Sequence, residues 1–215
     1  MSKFETDSLY IEIMPVGEIG TNCCIVCNKK TKEGFVVDPG AWEEKILAAV
    51  NKDDIKLHAI LLTHGHFDHI MAVNEIKEKL RAKVYAGENE ETLLKDPLLN
   101  ASEVVGSPYI VDTPEHLLRD KDEIELSGVT ISVIETPGHT SGGVCYYIEK
   151  EGILFCGDTL FMESIGRTDL PTGSGPALLR SVREKLAVLP DDVVAVPGHG
   201  PKTTIGYEKR NNPYM

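Results

Sequence analysis

The 215-residue sequence has no apolar run approaching the roughly 18 residues that a membrane-spanning helix needs, so none is expected. Residues 1–13 hold Lys3, Glu5 and Asp7 and no long apolar core, which argues against a secretory signal. Basic side chains are scarce. Lys and Arg number 22 against 34 Asp and Glu, a formal net charge of −12. A chain this acidic is a poor general ligand for nucleic acid, where Lys and Arg must displace counterions from phosphate, and for anionic membrane. A disulfide framework is also missing. The five cysteines, Cys23, Cys24, Cys27, Cys145 and Cys156, are odd in number, and three crowd into one apolar stretch. These absences point to a reduced, cytoplasmic protein. Cys24-Ile25-Val26-Cys27 spells C-x-x-C, but no second such pair exists and no helix start follows it. It reads as a strand whose small apolar positions are cysteine. Without repeat, linker or low-complexity segment, residues 1–215 read as one domain.

The composition, 41% hydrophobic and 26% charged, is that of a globular chain. Apolar runs of strand length are expected over residues 10–16, 21–27, 34–37, 58–62, 83–86, 130–135, 143–148, 153–156 and 193–196. Helical spacing is expected over 42–50, 70–80, 90–94 and 177–189. Residues 88–125 carry eleven acidic against three basic side chains and three prolines. They read as a loop-rich excursion, more a solvated connection than a flap. Residues 206–215 read as a polar tail.

The chemistry concentrates at strand ends. The run Thr63-His64-Gly65-His66-Phe67-Asp68-His69 follows one apolar strand. Pro137-Gly138-His139-Thr140, Gly157-Asp158-Thr159 and Pro197-Gly198-His199-Gly200 follow three others. Strands of a sheet that share an end place such residues in one cleft. Imidazole and carboxylate bind first-row divalent metals, and one ion takes about three or four protein ligands. His64, His66, Asp68, His69, His139, Asp158 and His199 are therefore too many for one metal and suit two, with a carboxylate shared. Alternation along an extended segment would point His64, His66 and Asp68 to one side, with His69 needing a turn to join them. The remaining histidines, His58 and His116, read as ordinary core or surface residues.

These motifs resemble the signature of the metallo-β-lactamase superfamily, in family order: Val37-Asp38-Pro39-Gly40, the histidine cluster, and the three glycine turns. The resemblance implies an α/β fold, a four-layer αβ/βα sandwich with a metal site at one edge. It implies that His64, His66 and His139 bind one ion, that Asp68, His69 and His199 bind a second, and that Asp158 bridges them, with Asp38 orienting a ligand imidazole. Residues 157–169, from Gly157-Asp158 to Gly166-Arg167-Thr168-Asp169, resemble the glyoxalase II (hydroxyacylglutathione hydrolase) group, above all its short single-domain bacterial form. So does the ending Gly206-Tyr207-Glu208…Asn212-Pro213. No counterpart is expected for the C-terminal helical domain that grips glutathione in the longer form.

The implied reaction is hydrolysis of a small-molecule thioester, S-lactoylglutathione or a related acyl-thiol. A hydroxide activated by two divalent ions is the implied nucleophile; zinc is the expected metal, and iron and manganese are also compatible with the ligands. Asp158 and Asp68 are the expected catalytic carboxylates, the first fixing the metal spacing and the second steering the nucleophile. Two alternatives stay open. One is a mononuclear-iron persulfide dioxygenase, which shares the Gly166–Asp169 element. The other is another metallohydrolase, such as a lactonase. Arg167 reads as a structural partner of Asp169 rather than a substrate contact. No nucleic-acid or membrane partner is expected, and the sequence leaves the oligomeric state undetermined.

Overall fold

The computed structural model describes residues 2–215. The chain first builds a seven-stranded sheet in simple order: β1 (Ser2–Glu5), β2 (Leu9–Val16), β3 (Thr21–Asn28), β4 (Glu33–Val37), β5 (Lys56–Leu61), β6 (Lys83–Gly87) and β7 (His116–Leu118). The first four strands form an antiparallel meander, and β4 to β7 run parallel. Parallel neighbours need crossovers, here α1 (Glu43–Lys52), the pair α2 (Phe67–Ile70) and α3 (Val73–Leu80), and α4 (Glu91–Leu94) with its loop.

A six-stranded sheet follows, in order β15-β14-β11-β10-β9-β8. Its strands are β8 (Glu123–Leu126), β9 (Val129–Glu135), β10 (Val144–Ile148), β11 (Ile153–Gly157), β14 (Val194–Pro197) and β15 (Thr203–Thr204). The small hairpin β12 (Leu160–Phe161) and β13 (Ser164–Ile165) and helix α5 (Gly175–Arg180) lie between β11 and β14. Helix α5 continues into a wider π-type stretch, Ser181–Leu186, and α6 (Ile205–Asn211) closes the fold.

Three apolar layers hold the sandwich together. Ile11, Val26, Phe35, Leu61, Tyr146 and Phe155 meet between the sheets. Ile46, Val50, Val73 and Ile76 of α1 and α3 cover Ile25, Val36 and Ile60 on the outer face of the first sheet. Leu178, Val182 and Leu186 cover Leu154 and Cys156 on the outer face of the second. The period-2 rule assigns the cysteines. Cys23 and Cys27 pack in the outer layer while Cys24 packs between the sheets. Residues three apart on a strand face opposite ways, so C-x-x-C forms neither a redox pair nor half a metal site. All five thiols are free and buried.

Several expectations need correction. Residues 88–125 are loop-rich as expected but also hold β7 and the start of β8. The tail is not merely polar: α6 starts at a Thr204 cap that accepts from the Tyr207 N–H at 3.2 Å. Its Glu208 is buried and accepts from Thr203 Oγ1 (2.5 Å), the Glu163 N–H (2.8 Å) and Asn212 Nδ2 (2.9 Å). The expected helix 70–80 is two helices broken at Met71–Ala72, where the Ala72 N–H turns to the Pro39 carbonyl (3.0 Å). The edge strand β1, too polar to signal itself, pairs with β2.

Strand direction decides where the chemistry sits. Within the second sheet β9, β11 and β14 run the same way, because two antiparallel steps and one parallel step separate them. Their C-terminal ends therefore share an edge. The ends of β4 and β5 share an edge of the first sheet. The two edges are fastened to each other by the Val144 N–H on the Thr63 carbonyl (2.8 Å) and the Asn22 N–H on the Gly198 carbonyl (2.7 Å). The Tyr146 hydroxyl adds a bond to the Leu62 carbonyl (2.8 Å). Among the described residues, no helix is long and apolar enough to cross a membrane.

Candidate metal centre

Seven ligand-type side chains converge at this joint. His64 and His66 follow β5, Asp68 and His69 lie in α2, His139 follows β9, Asp158 follows β11, and His199 follows β14. They form three overlapping groups whose ligand atoms lie within 4.8 Å of one another: His64, His66 and His139; His64, His69 and Asp158; and Asp68, His69 and His199. Asp158 stands between them, with Oδ1 3.5 Å from His69 Nε2 and Oδ2 3.6 Å from His139 Nε2 and 3.7 Å from His199 Nε2.

Asp68 stands where the family resemblance implies, with His69 and His199, and not where strand alternation would point it. The chain is extended only to His66, which precedes the helical turn α2. Asp68 and His69 are thus helical, and Asp68 joins His199 (Oδ2 to Nε2, 3.1 Å) rather than the side of His64 and His66. Thr21 Oγ1 donates to Asp68 Oδ2 at 2.6 Å.

The imidazoles are oriented by bonds from their far nitrogens. His69 Nδ1 donates to Asp38 Oδ2 (2.9 Å), His139 Nδ1 to the Arg167 carbonyl (2.8 Å), and His64 Nδ1 to Thr63 Oγ1 (3.2 Å). With Nδ1 carrying the proton, each Nε2 keeps its lone pair toward the cleft. His66 approaches the other way round, its Nδ1 2.9 Å from His139 Nε2. The Nε2 atoms of His64 and His69 and Oδ1 of Asp158 are buried with no hydrogen-bond partner among the described residues. Buried polar atoms without partners are rare and call for an explanation. Imidazole nitrogens gathered on shared carboxylates fit a pair of divalent cations, and the cluster is a dinuclear metal site in its donor set.

Close approach at this edge demands glycine. A Cβ on Gly198 would lie 2.1 Å from Asp158 Oδ1 and 2.7 Å from His69 Cε1. On Gly157, whose φ is +47°, it would meet Thr63 Oγ1 at 2.3 Å.

The electrostatics divide the cluster in two. Burial and the neighbouring His69, His139 and His66 hold His64 well below the usual histidine range. Burial with His139 and His69 lowers His66 to about 3. His139 is also lowered, chiefly by burial. In the other half burial is outweighed. Asp68, Asp38 and Asp158 push His69 well above the usual range, and the bond to Asp68 with the Asp158 charge raises His199. Asp68 and Asp158 are correspondingly held down, despite burial, chiefly by the charge of His69.

Glu90 escapes sequence reasoning, being one acid in an acidic stretch. It is fully buried, and it accepts from the N–H groups of Gly65 (3.0 Å) and Gly142 (2.9 Å) and from the Thr140 hydroxyl. It therefore ties the turn between His64 and His66 to the turn after His139. Burial raises its carboxyl, with the three donors pulling the other way.

Arg167 pairs with Asp169 through two 2.7 Å contacts as expected, but on the surface. His58 is exposed, and His116 stacks on Tyr85 with ring centroids 4.3 Å apart, so neither reaches the cluster. The cleft over the cluster, about 370 Å³, is lined by Ile19, Phe67, Ala101, Phe161, Arg167 and Leu170 besides the ligand residues. Ala101 belongs to the 88–125 excursion, which walls the site rather than only connecting strands.

A family model of the metallo-beta-lactamase superfamily matches residues 16–199. The chain belongs to this superfamily. The chemistry of the superfamily is that of metal-dependent hydrolases. Hydroxyacylglutathione hydrolase GloC of Haemophilus influenzae is 34% identical over 95% of this chain and 97% of its own length. The solved BLEG-1 B3 metallo-beta-lactamase is 41% identical, with a TM-score of 0.91 over 95% of this chain and 98% of that one. TTHA1623, solved in a di-iron-bound form, is 34% identical with a TM-score of 0.84 over 95% and 100%.

Two predictions follow from the geometry. In the metal-free protein His64 and His66 are already neutral near pH 6, whereas His69 and His199 are protonated and must release protons to bind. The first ion should therefore bind with little pH dependence, and the affinity for the second should fall by about tenfold per pH unit for each proton displaced once pH drops below the raised ranges of His69 and His199. Calorimetric zinc titrations in buffers of different ionisation enthalpy measure this, and parallel weakening of both sites would contradict it. Replacing Glu90 by Gln sets an amide N–H₂ against the Gly65 or Gly142 N–H. A loss of about 1–3 kcal/mol of stability and weaker zinc retention by about 10–100-fold are expected in melting and chelator-competition assays. Unchanged retention would show that the two turns hold their ligands without it.

Proposed function

We propose that this chain hydrolyses thioesters of the glyoxalase II type, S-lactoylglutathione or a related acyl-thiol, with zinc as the resident metal. The observation that carries this reading is a carboxylate, Asp158, standing at the junction of two complete ligand groups. The likeness to GloC over nearly the whole of both chains supports the choice of substrate.

His64, His66 and His139 would hold one ion, Asp68, His69 and His199 the other, and Asp158 both. Two bound divalent ions would supply a nucleophilic water of lowered pKa and would polarise the scissile carbonyl. Asp68 Oδ2, fixed by the Thr21 hydroxyl, would accept a hydrogen bond from the attacking water and so aim it. Asp38 and the Arg167 carbonyl would keep His69 and His139 in the tautomer that presents Nε2. Thiolate is a good leaving group, so the lowered carboxyls of Asp68 and Asp158, poor proton donors, are no obstacle. Arg167, paired with Asp169, stands at the rim of the cleft.

The similarity to a B3 metallo-beta-lactamase favours a second reading, β-lactam opening, which the same centre could carry out. One assay separates the readings. Zinc- and iron-loaded forms are given S-lactoylglutathione, a penicillin, a lactone and glutathione persulfide, with and without oxygen. Thioester cleavage that persists anaerobically with zinc is expected. Oxygen uptake with persulfide and no thioester cleavage by either form would overturn the hydrolase reading in favour of a dioxygenase. Faster penicillin than thioester turnover would favour the lactamase.

A further inference from the structure

We propose that the acyl arm of the substrate is an apolar chain, and that it lies in a groove leaving the metal cleft past Phe67 and Asp68. This rests on the thioester-hydrolase reading above. The groove has a volume of about 400 Å³ and shares Ile19, Phe67 and Asp68 with the cleft, so the two form one continuous depression. Its remaining apolar walls are Ala41, Trp42, Met71 and Val105. They come from separate places in the chain: the β2–β3 turn gives Ile19, the turn after β4 gives Ala41 and Trp42, α2 with the residue after it gives Phe67 and Met71, and the 88–125 excursion gives Val105.

Ile19, Trp42 and Val105 are 56%, 41% and 50% exposed. Single exposed apolar residues are ordinary, but convergence of three beside a reactive centre marks a binding patch. Trp42 is displayed by backbone geometry, since its φ of +58° and ψ of +50° end the turn just before α1. Lys45 Nζ then caps its ring at 3.5 Å from the centroid.

Charge selects between the two arms of a thioester. Among the described residues the charged side chain lining the groove outside the proposed metal centre is Glu18, an acid, whereas the cleft has Arg167. A thiol carrier bearing carboxylates or phosphates is repelled there, whereas a hydrocarbon acyl chain meets matching walls. With its carbonyl over Asp68 and Asp158, an acyl chain can run out past Phe67 toward Trp42 and Val105, leaving the thiol in the wider cleft beside Phe161 and Leu170.

The test uses the zinc-loaded full chain and two series of thioesters. In one, acetyl, butyryl, hexanoyl and octanoyl groups are carried on the same small neutral thiol. In the other the acyl group is acetyl and the alkyl thiol is lengthened. In the first series kcat/KM is expected to rise by about two- to fourfold per methylene until the groove is filled. The second series is expected to stay flat. In Val105→Asp, and independently in Trp42→Ala, the octanoyl-to-acetyl ratio of kcat/KM should fall by about tenfold or more. A ratio is insensitive to the fraction of protein folded, so a destabilised variant still reports. Thioester cleavage that ignores acyl length, or that follows thiol length instead, overturns this inference and leaves the thioester reading standing. Cleavage of no thioester in either series sinks the thioester reading and this inference with it.

Discussion

The buried carboxylate of Asp38 is the interaction on which the site depends. It ends β4 in a left-handed turn (φ +48°) and accepts from the Thr63 N–H at 2.8 Å, the Thr63 hydroxyl at 2.6 Å and His69 Nδ1 at 2.9 Å. One side chain thereby fixes the exit of β5, through Thr63 the ring of His64, and the ring of His69 in α2. Thr63 in turn presses on Gly157, where only a glycine leaves room, and Gly157 delivers Asp158. A chain of short contacts thus runs from the first sheet to the second, and charge-assisted bonds of this kind hold geometry more firmly than neutral ones.

That construction explains why the two halves of the cluster differ. His64, His66 and His139 are crowded against one another, and burial keeps them neutral, at His139 against the pull of Asp158. His69 and His199 face Asp68 and Asp158, so their imidazoliums are favoured until a cation replaces the protons. The asymmetry belongs to the protein before any metal arrives. A cleft with one half ready and the other proton-gated takes its second ion in competition with the protons of His69 and His199, so that half empties first as pH falls.

Much of this was legible in the sequence because ligand residues sit in glycine turns directly after apolar strands, and parallel strand ends share an edge. The seven residues and most strands could be read in that way. Asp68 was harder. Alternation holds only in extended chain, and the chain turns helical after His66, which hands Asp68 to the other half of the cluster. Glu90 was hidden because a buried acid with its donors far away in sequence is indistinguishable from a surface acid in a chain of net charge −12, and Glu208 because its burial depends on the Glu163 turn 45 residues away. Strands β1, β7 and β8 are short and partly exposed, so their pairing comes from neighbours rather than from their own hydrophobicity. The wall formed by Ala101 and Val105 depends on a loop path that no local pattern encodes.

The central claim is a two-ion centre with Asp158 shared between the ions. Anomalous scattering at the zinc, iron and manganese edges from crystals of the metal-saturated protein tests it most directly. Two peaks are expected, one among His64, His66 and His139 and one among Asp68, His69 and His199, each bonded to an oxygen of Asp158. A single peak at saturation, with Asp68 and His199 making no metal contact, would contradict it.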